Sequence, residues 1–208
     1  GKTVVLKQNN FLLSDPKFAT DRKRAERLAA LLGKSNPYVA ELLDQFHHAD
    51  HVYEVWQYID GVSLAERLAR KGPLPEAKVL AIARDALRGL QWLHEELLIV
   101  HRDIKPENMM LPKSKGGPVL VLIDLGIGLH LKRSRLTGRG LVGTPLYMAP
   151  EMLLGGEIEV DQRSDLYSLG VVMYEALGGS HPYPAGGMDE ILDKLLHDTP
   201  PPLTGVST

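Results

Sequence analysis

His101-Arg102-Asp103-Ile104-Lys105-Pro106-Glu107-Asn108 decides the reading of this chain, together with Asp124-Leu125-Gly126, which begins sixteen residues after Asn108. The two segments set two acids, an ammonium and an amide in one order. That order is the one needed to hold a phosphoryl group, its metal ions and an acceptor hydroxyl, where positioning and charge placement matter more than covalent chemistry. Ala149-Pro150-Glu151 begins 46 residues beyond Asp103.

The rest of the composition sets bounds on that chemistry. A chain of 208 residues has room for one large domain or two small lobes. With 44% apolar and 24% charged residues it can bury an ordinary core. A net charge of −2 gives no global pull toward nucleic acid or an anionic membrane. The absence of cysteine excludes disulfides and thiolate metal sites and fits a reducing compartment, so a cytoplasmic location is expected. No apolar run approaches the roughly 18–20 residues that span a bilayer. The start, Gly1-Lys2-Thr3, lacks the apolar region of a signal peptide.

Periodicity places the elements. Val4-Val5-Leu6-Lys7 reads as a strand, and Asp21 to Leu32 as a helix with Ala25, Leu28, Ala29 and Leu32 on one face. His51 to Tyr58 reads as another strand, followed by an Asp60-Gly61 turn. Ser63 opens a short helix with Glu66 three residues on, a capping-box pattern. Pro75 to Leu97 is the clearest helix, with Val79, Ile82, Ala86, Leu90 and Leu93 in one stripe. Pro118 to Ile123 reads as a buried strand ending at Asp124, and short strands are expected at Ile99-Val100 and Met109-Met110-Leu111. Leu166 to Leu177 is apolar on nearly every side, which predicts a fully buried helix; Met188 to His197 is a last helix, broken by Pro200-Pro201-Pro202. Strand signal dominates the first ~60 residues and helix the remainder, which suggests a small strand-rich lobe and a larger helical lobe joined near Gln57 to Gly61.

From Val4 to about Pro184 the chain resembles a eukaryotic-type serine/threonine protein kinase. The resemblance implies an α+β, bilobal fold: a small antiparallel-sheet lobe with one helix over residues 1–58, and a mainly helical lobe over 59–208. It implies a non-specific serine/threonine protein kinase that uses ATP and Mg²⁺ to phosphorylate Ser/Thr hydroxyls of protein substrates. Lys7 matches the strand lysine that pairs with the α- and β-phosphates, and Glu26 the helix glutamate that steadies it. Asp103 matches the catalytic base or hydroxyl-orienting acid, and Lys105 the balancing cation. Asn108 and Asp124 match the Mg²⁺ ligands. Val5, Trp56, Gln57, Tyr58, Ile59 and Met110 match the adenine pocket, with backbone at Gln57 and Ile59 reading the base.

Lys105 and Thr144 resemble the serine/threonine branch rather than the tyrosine branch. Lys132, Arg133, Arg135 and Arg139 surround Ser134 and Thr137 between Asp124 and Glu151. Phosphate on Thr137 or Ser134, paired with Arg102, is the expected switch. Asp165 matches the buried acid that anchors the catalytic-loop backbone. His47, His48 and His51 fall where the resemblance implies a strand and turn, while His94, His130, His181 and His197 show no metal-ligand spacing.

The chain also departs from the family pattern. Its first residue falls where the third small-lobe strand should begin, so the glycine-rich loop is missing from it, as are the last helices of the large lobe. Trp56 replaces a smaller residue at the back of the adenine pocket and Val5 replaces an alanine, so the nucleotide site is expected to be narrowed. Gln57 replaces an acid and Leu125 a phenylalanine. These departures are the basis of an alternative reading, a pseudokinase or scaffold module without efficient turnover.

Overall fold

The computed structural model describes residues 2–12, 28–49, 51–114, 116–125, 145–154, 160–183 and 188–206. Glu26, Ser134, Thr137 and Thr144 lie outside the described residues, as do the basic side chains around the expected switch and most of the helix expected from Asp21.

Three antiparallel strands form the first sheet: β1 (Val4–Leu12), β2 (Leu42–His48) and β3 (His51–Gln57), in the order β1-β3-β2. Alternation in β3 buries Val52, Glu54 and Trp56, so its inner face carries a carboxylate where an apolar residue is the rule. Residues 28–31 are helical and bury Leu28 and Leu31. Leu32 is exposed, because the helix ends in a turn closed by Lys34 N donating to Leu31 O at 3.1 Å. The expected Leu28/Ala29/Leu32 stripe is therefore corrected to Leu28/Leu31.

After Gln57 the chain enters a second, smaller sheet: β4 (Gly61–Ser63), β5 (Met109–Pro112) and β6 (Val121–Leu122), again antiparallel. β6 is shorter than the apolar run 118–123 suggests, since only Val121 and Leu122 find partners on β5. The segment just before β2 ties the second sheet to the first. Ala40 N donates to Leu122 O at 2.9 Å, and Leu122 N to Tyr38 O at 2.8 Å.

The helices supply the larger lobe. α1 (Leu64–Lys71) carries the expected capping box: Glu66 N donates to Ser63 Oγ at 3.1 Å, and Ser63 N to Glu66 Oε2 at 3.3 Å. α2 (Glu76–Gln91) buries Val79, Ile82, Ala86 and Leu90. It does not run as one α-helix to Leu97. A π-helical turn, Trp92–Glu96, replaces its last stretch and buries Leu93. Ile99-Val100 is no strand; Ile99 N is taken by Leu93 O at 2.8 Å instead of a ladder partner.

α3 (Pro150–Leu154) precedes α4 (Gln162–Gly178), which starts at an Asp161 N-cap and stops at Gly179, φ 78°. Contrary to expectation, the helix is not fully buried along Leu166 to Leu177. Leu166 is 46% exposed, while Ser164, Asp165 and Ser168 are buried. The polar residues are inside because each has a partner there. α5 (Met188–His197) follows. One continuous core, running from Leu28 and Trp56 through Ile82 and Leu122 to Val172, joins sheets and helices. The result is the bilobal α+β architecture that the resemblance implied.

Candidate active site

The loop from His101 to Asn108 is built on the buried carboxylate of Asp165. His101 N donates to Asp165 Oδ2 at 2.8 Å and Arg102 N to Oδ1 at 2.7 Å. Arg102 has φ 66°, a left-handed backbone that a non-glycine residue holds only where its surroundings impose it. A third donor was missed by sequence reasoning: His94 Nε2 lies 2.7 Å from Asp165 Oδ2. Its place on the π-helical turn, 71 residues from its partner, leaves no periodic signal that could have found it. His101 fills the space beneath the loop at 0% exposure, and its Nδ1 accepts from Asp103 N at 3.3 Å.

Three of the expected site residues then come together on this loop. Lys105 Nζ lies 3.0 and 2.9 Å from the two carboxylate oxygens of Asp103. Asn108 Nδ2 donates to Asp103 Oδ2 at 2.7 Å and to Asp103 O at 2.8 Å. The amide nitrogen is thereby committed to Asp103, which leaves the Asn108 amide oxygen as the end that can face a cation. Ile123 N donates to Asn108 O at 3.0 Å, so Asp124 begins one residue from a bond that ties it to the loop. Asp124 has φ 59°, and its Oδ1 pairs with Lys7 Nζ at 2.5 Å.

Lys7 and Asp124 also wall a cavity of about 120 Å³ between the sheets. Val5, Trp56, Gln57, Tyr58, Ile59 and Met110 line it as expected, with Ala40 and Ile123 added. Asp103, Lys105 and Asn108 lie outside that lining. Glu26, the expected partner of Lys7, is outside the described residues. A separate recess of about 260 Å³ beside the loop is bounded by Pro106, Glu107, Tyr147 and Glu175. Tyr147 Oη donates to Glu175 Oε2 at 2.6 Å, and burial plus that carboxylate hold its phenol well above the usual range. Glu151 takes Ser164 Oγ at 2.5 Å, which pins α3 to α4.

Burial holds the His101 imidazole below its usual value, although Asp165, Asp103 and Asp124 pull the other way. The folded chain thus resists a proton that the unfolded chain accepts near pH ~6.5. Above that pH both states are neutral and the group adds nothing to the pH dependence. Below it the unfolded state gains the proton, so stability falls. Urea unfolding at about pH 7.5 and about pH 5.5 should show this loss, at most ~1.4 kcal/mol per pH unit, and His101→Gln should flatten it. Equal slopes in the two proteins would contradict the assignment.

A family model described as the protein kinase domain matches residues 2–201. The chain belongs to the protein kinase domain family. Among relatives of this kinase domain, a mitogen-activated protein kinase kinase 1 from Arabidopsis thaliana is 32% identical over 190 residues, 88% of this chain and 52% of that protein. A serine/threonine-protein kinase pkn2 from Myxococcus xanthus is 37% identical over 166 residues, 77% of this chain and 20% of that protein. The chain thus spans about half the length of the first relative and less of the second. The crystal structure of Rad53 1-466 in complex with AMP-PNP superposes with a TM-score of 0.71 at 23% identity, over 93% of this chain and 46% of that one. It shares the fold.

Proposed function

We propose that this kinase domain transfers the γ-phosphoryl group of ATP to Ser or Thr hydroxyls of protein substrates. The observation that carries the reading is the convergence of Asp103, Lys105 and Asn108 on one loop, with the Lys7–Asp124 pair on the wall of the lined cavity and Asp124 next to the backbone bond from Ile123 N to Asn108 O. The small lobe, residues 1–58, covers the nucleotide, and residues 59–208 carry the catalytic loop. The cavity takes the base. Lys7 meets the phosphates as a point charge.

The donor chemistry fits Mg²⁺. Among the described residues no group of three or more His, Cys, Asp or Glu side chains could hold a metal by itself. One amide oxygen, from Asn108, and one carboxylate, from Asp124, are too few for an all-protein cage. They suit an ion that shares its remaining positions with water and phosphate oxygens. When bound, the ion neutralises charge on the phosphates. Asp103 orients the acceptor hydroxyl and takes its proton, and Lys105 and Asn108 hold that carboxylate in place. The acceptor peptide lies over the recess beside Glu107 and Tyr147. Thr137 is the site of the activating phosphate, with Arg102 its partner. Among the described residues no helix is long and apolar enough to cross a membrane; the proposed reading places the domain in the cytoplasm.

The test is transfer of label from γ-labelled ATP to a generic basic protein, followed by acid hydrolysis of the product. Labelled phosphoserine or phosphothreonine is expected. ATP binding without any label on the acceptor would favour the scaffold reading, and label confined to phosphotyrosine would overturn the assigned acceptor class.

A further inference from the structure

The register of β1 against β3 places Val5 opposite Trp56 and Lys7 opposite Glu54. Directly opposed residues of an antiparallel pair project to one face, and residues two apart on a strand share it. Val5, Lys7, Trp56 and Glu54 therefore form one patch, and the first three wall the cavity. Glu54 stands one row further from the chain crossing at Gln57 and is 2% exposed. A carboxylate at such a position is costly unless it is bonded. Its Oε2 accepts from Trp56 Nε1 at 3.0 Å. That hydrogen bond is charge-assisted and is made to one edge of the indole, so it fixes the plane of the ring as well as its position. Trp56 lines the cavity and is 5% exposed, so the stretch of wall it forms is turned toward the interior of the fold. The remaining volume, about 120 Å³, is well below the roughly 300–1,000 Å³ of pockets that enclose drug-sized ligands. It has room for a fused-ring base and little beyond it.

Resting on the nucleotide reading of this cavity, we infer that Glu54 is a specificity-determining positioning residue. Its carboxylate holds the Trp56 indole as a rigid inner wall, and the site rejects purine nucleotides that carry a bulky substituent pointing inward. The side chain does not touch the nucleotide; it acts through Trp56.

The experiment compares ATP with N6-benzyl-ATP, both with Mg²⁺, by calorimetric titration of the chain and its variants, a readout that does not depend on either of its two tryptophans. The starting protein should bind ATP and discriminate against the benzyl analogue. Trp56→Met should erase the discrimination, and Glu54→Leu should weaken it on the order of tenfold, the effect of losing a hydrogen bond to a charged group. Glu54→Gln, which retains an acceptor oxygen, should keep it. Unchanged discrimination in Glu54→Leu beside a changed Trp56→Met would overturn the inference and leave the nucleotide site standing. No binding of ATP to the starting protein would overturn both. A second measurement needs no variant at position 54. The Trp56 indole N–H, assigned by its loss in Trp56→Met, should exchange with deuterium slowly. Exchange as fast as that of a free indole would also overturn the role of Glu54.

Discussion

Asp103→Asn should bind ATP with unchanged affinity and transfer its phosphoryl group about 10²–10⁴-fold more slowly, the usual contribution of a positioned general base. Binding is spared because Asp103 is not among the residues that line the cavity proposed for the nucleotide. Transfer is lost for two reasons. An amide cannot accept the hydroxyl proton. It also presents an N–H where Lys105 Nζ and Asn108 Nδ2 already donate, at 2.9 and 2.7 Å from Oδ2. Donors facing donors repel, so the asparagine must rotate or shift, and the acceptor loses its guide as well as its base. Steady-state kinetics should show the whole loss in kcat, with KM for ATP unchanged. A variant retaining more than a tenth of the rate would show that the hydroxyl is oriented by another group.

Asp165→Ala should be the most destabilising single change in the large lobe. It strips partners from the backbone N–H groups of His101 and Arg102, both of which the carboxylate accepts within 2.8 Å. Each buried donor left unsatisfied costs about 1–3 kcal/mol, so about 2–6 kcal/mol is expected. That corresponds to a melting temperature lower by roughly 10 °C in a chain of this size. Arg102 would also lose the contact that holds its left-handed backbone, and the loop carrying Asp103 would relax. Asp165→Asn keeps one acceptor oxygen and should lose less. Calorimetry measures the stability term. Turnover at a temperature where the variant is still folded measures the positioning term. Melting within 2 °C or so of the parent would mean that the loop is held by other contacts.

The parts of this site that could be read from the sequence are those whose chemistry is packed into short segments. Asp103, Lys105 and Asn108 lie within six residues, and their spacing alone puts them on one loop. The capping box at Ser63 and the α2 stripe were equally local, since both depend on neighbours three or four residues away. What escaped notice depends on distance along the chain. His94 reaches Asp165 across 71 residues, from a π-helical turn that interrupts the periodicity that predicted a straight helix. Nothing local to the strand from His51 marks Glu54; its importance shows only in the fold, where it is buried and bonded to Trp56. The excess length expected for the last strand has a similar cause. An apolar run signals burial, but a strand extends only as far as its partner does, and β6 has two paired residues. The apolar run from Leu166 to Leu177 predicted burial all round, yet Leu166 is 46% exposed, because a hydrophobic run does not say which of its sides meets the core.

The central claim is that Asn108 and Asp124 hold the metal of a nucleotide seated between Lys7 and the Trp56 wall. The most direct measurement is calorimetric titration of ATP with and without Mg²⁺, on the parent chain and on Asp124→Asn. The account predicts that Mg²⁺ tightens binding on the order of tenfold or more in the parent, and that the gain disappears in the variant. Equal Mg²⁺ dependence in the two proteins would contradict it.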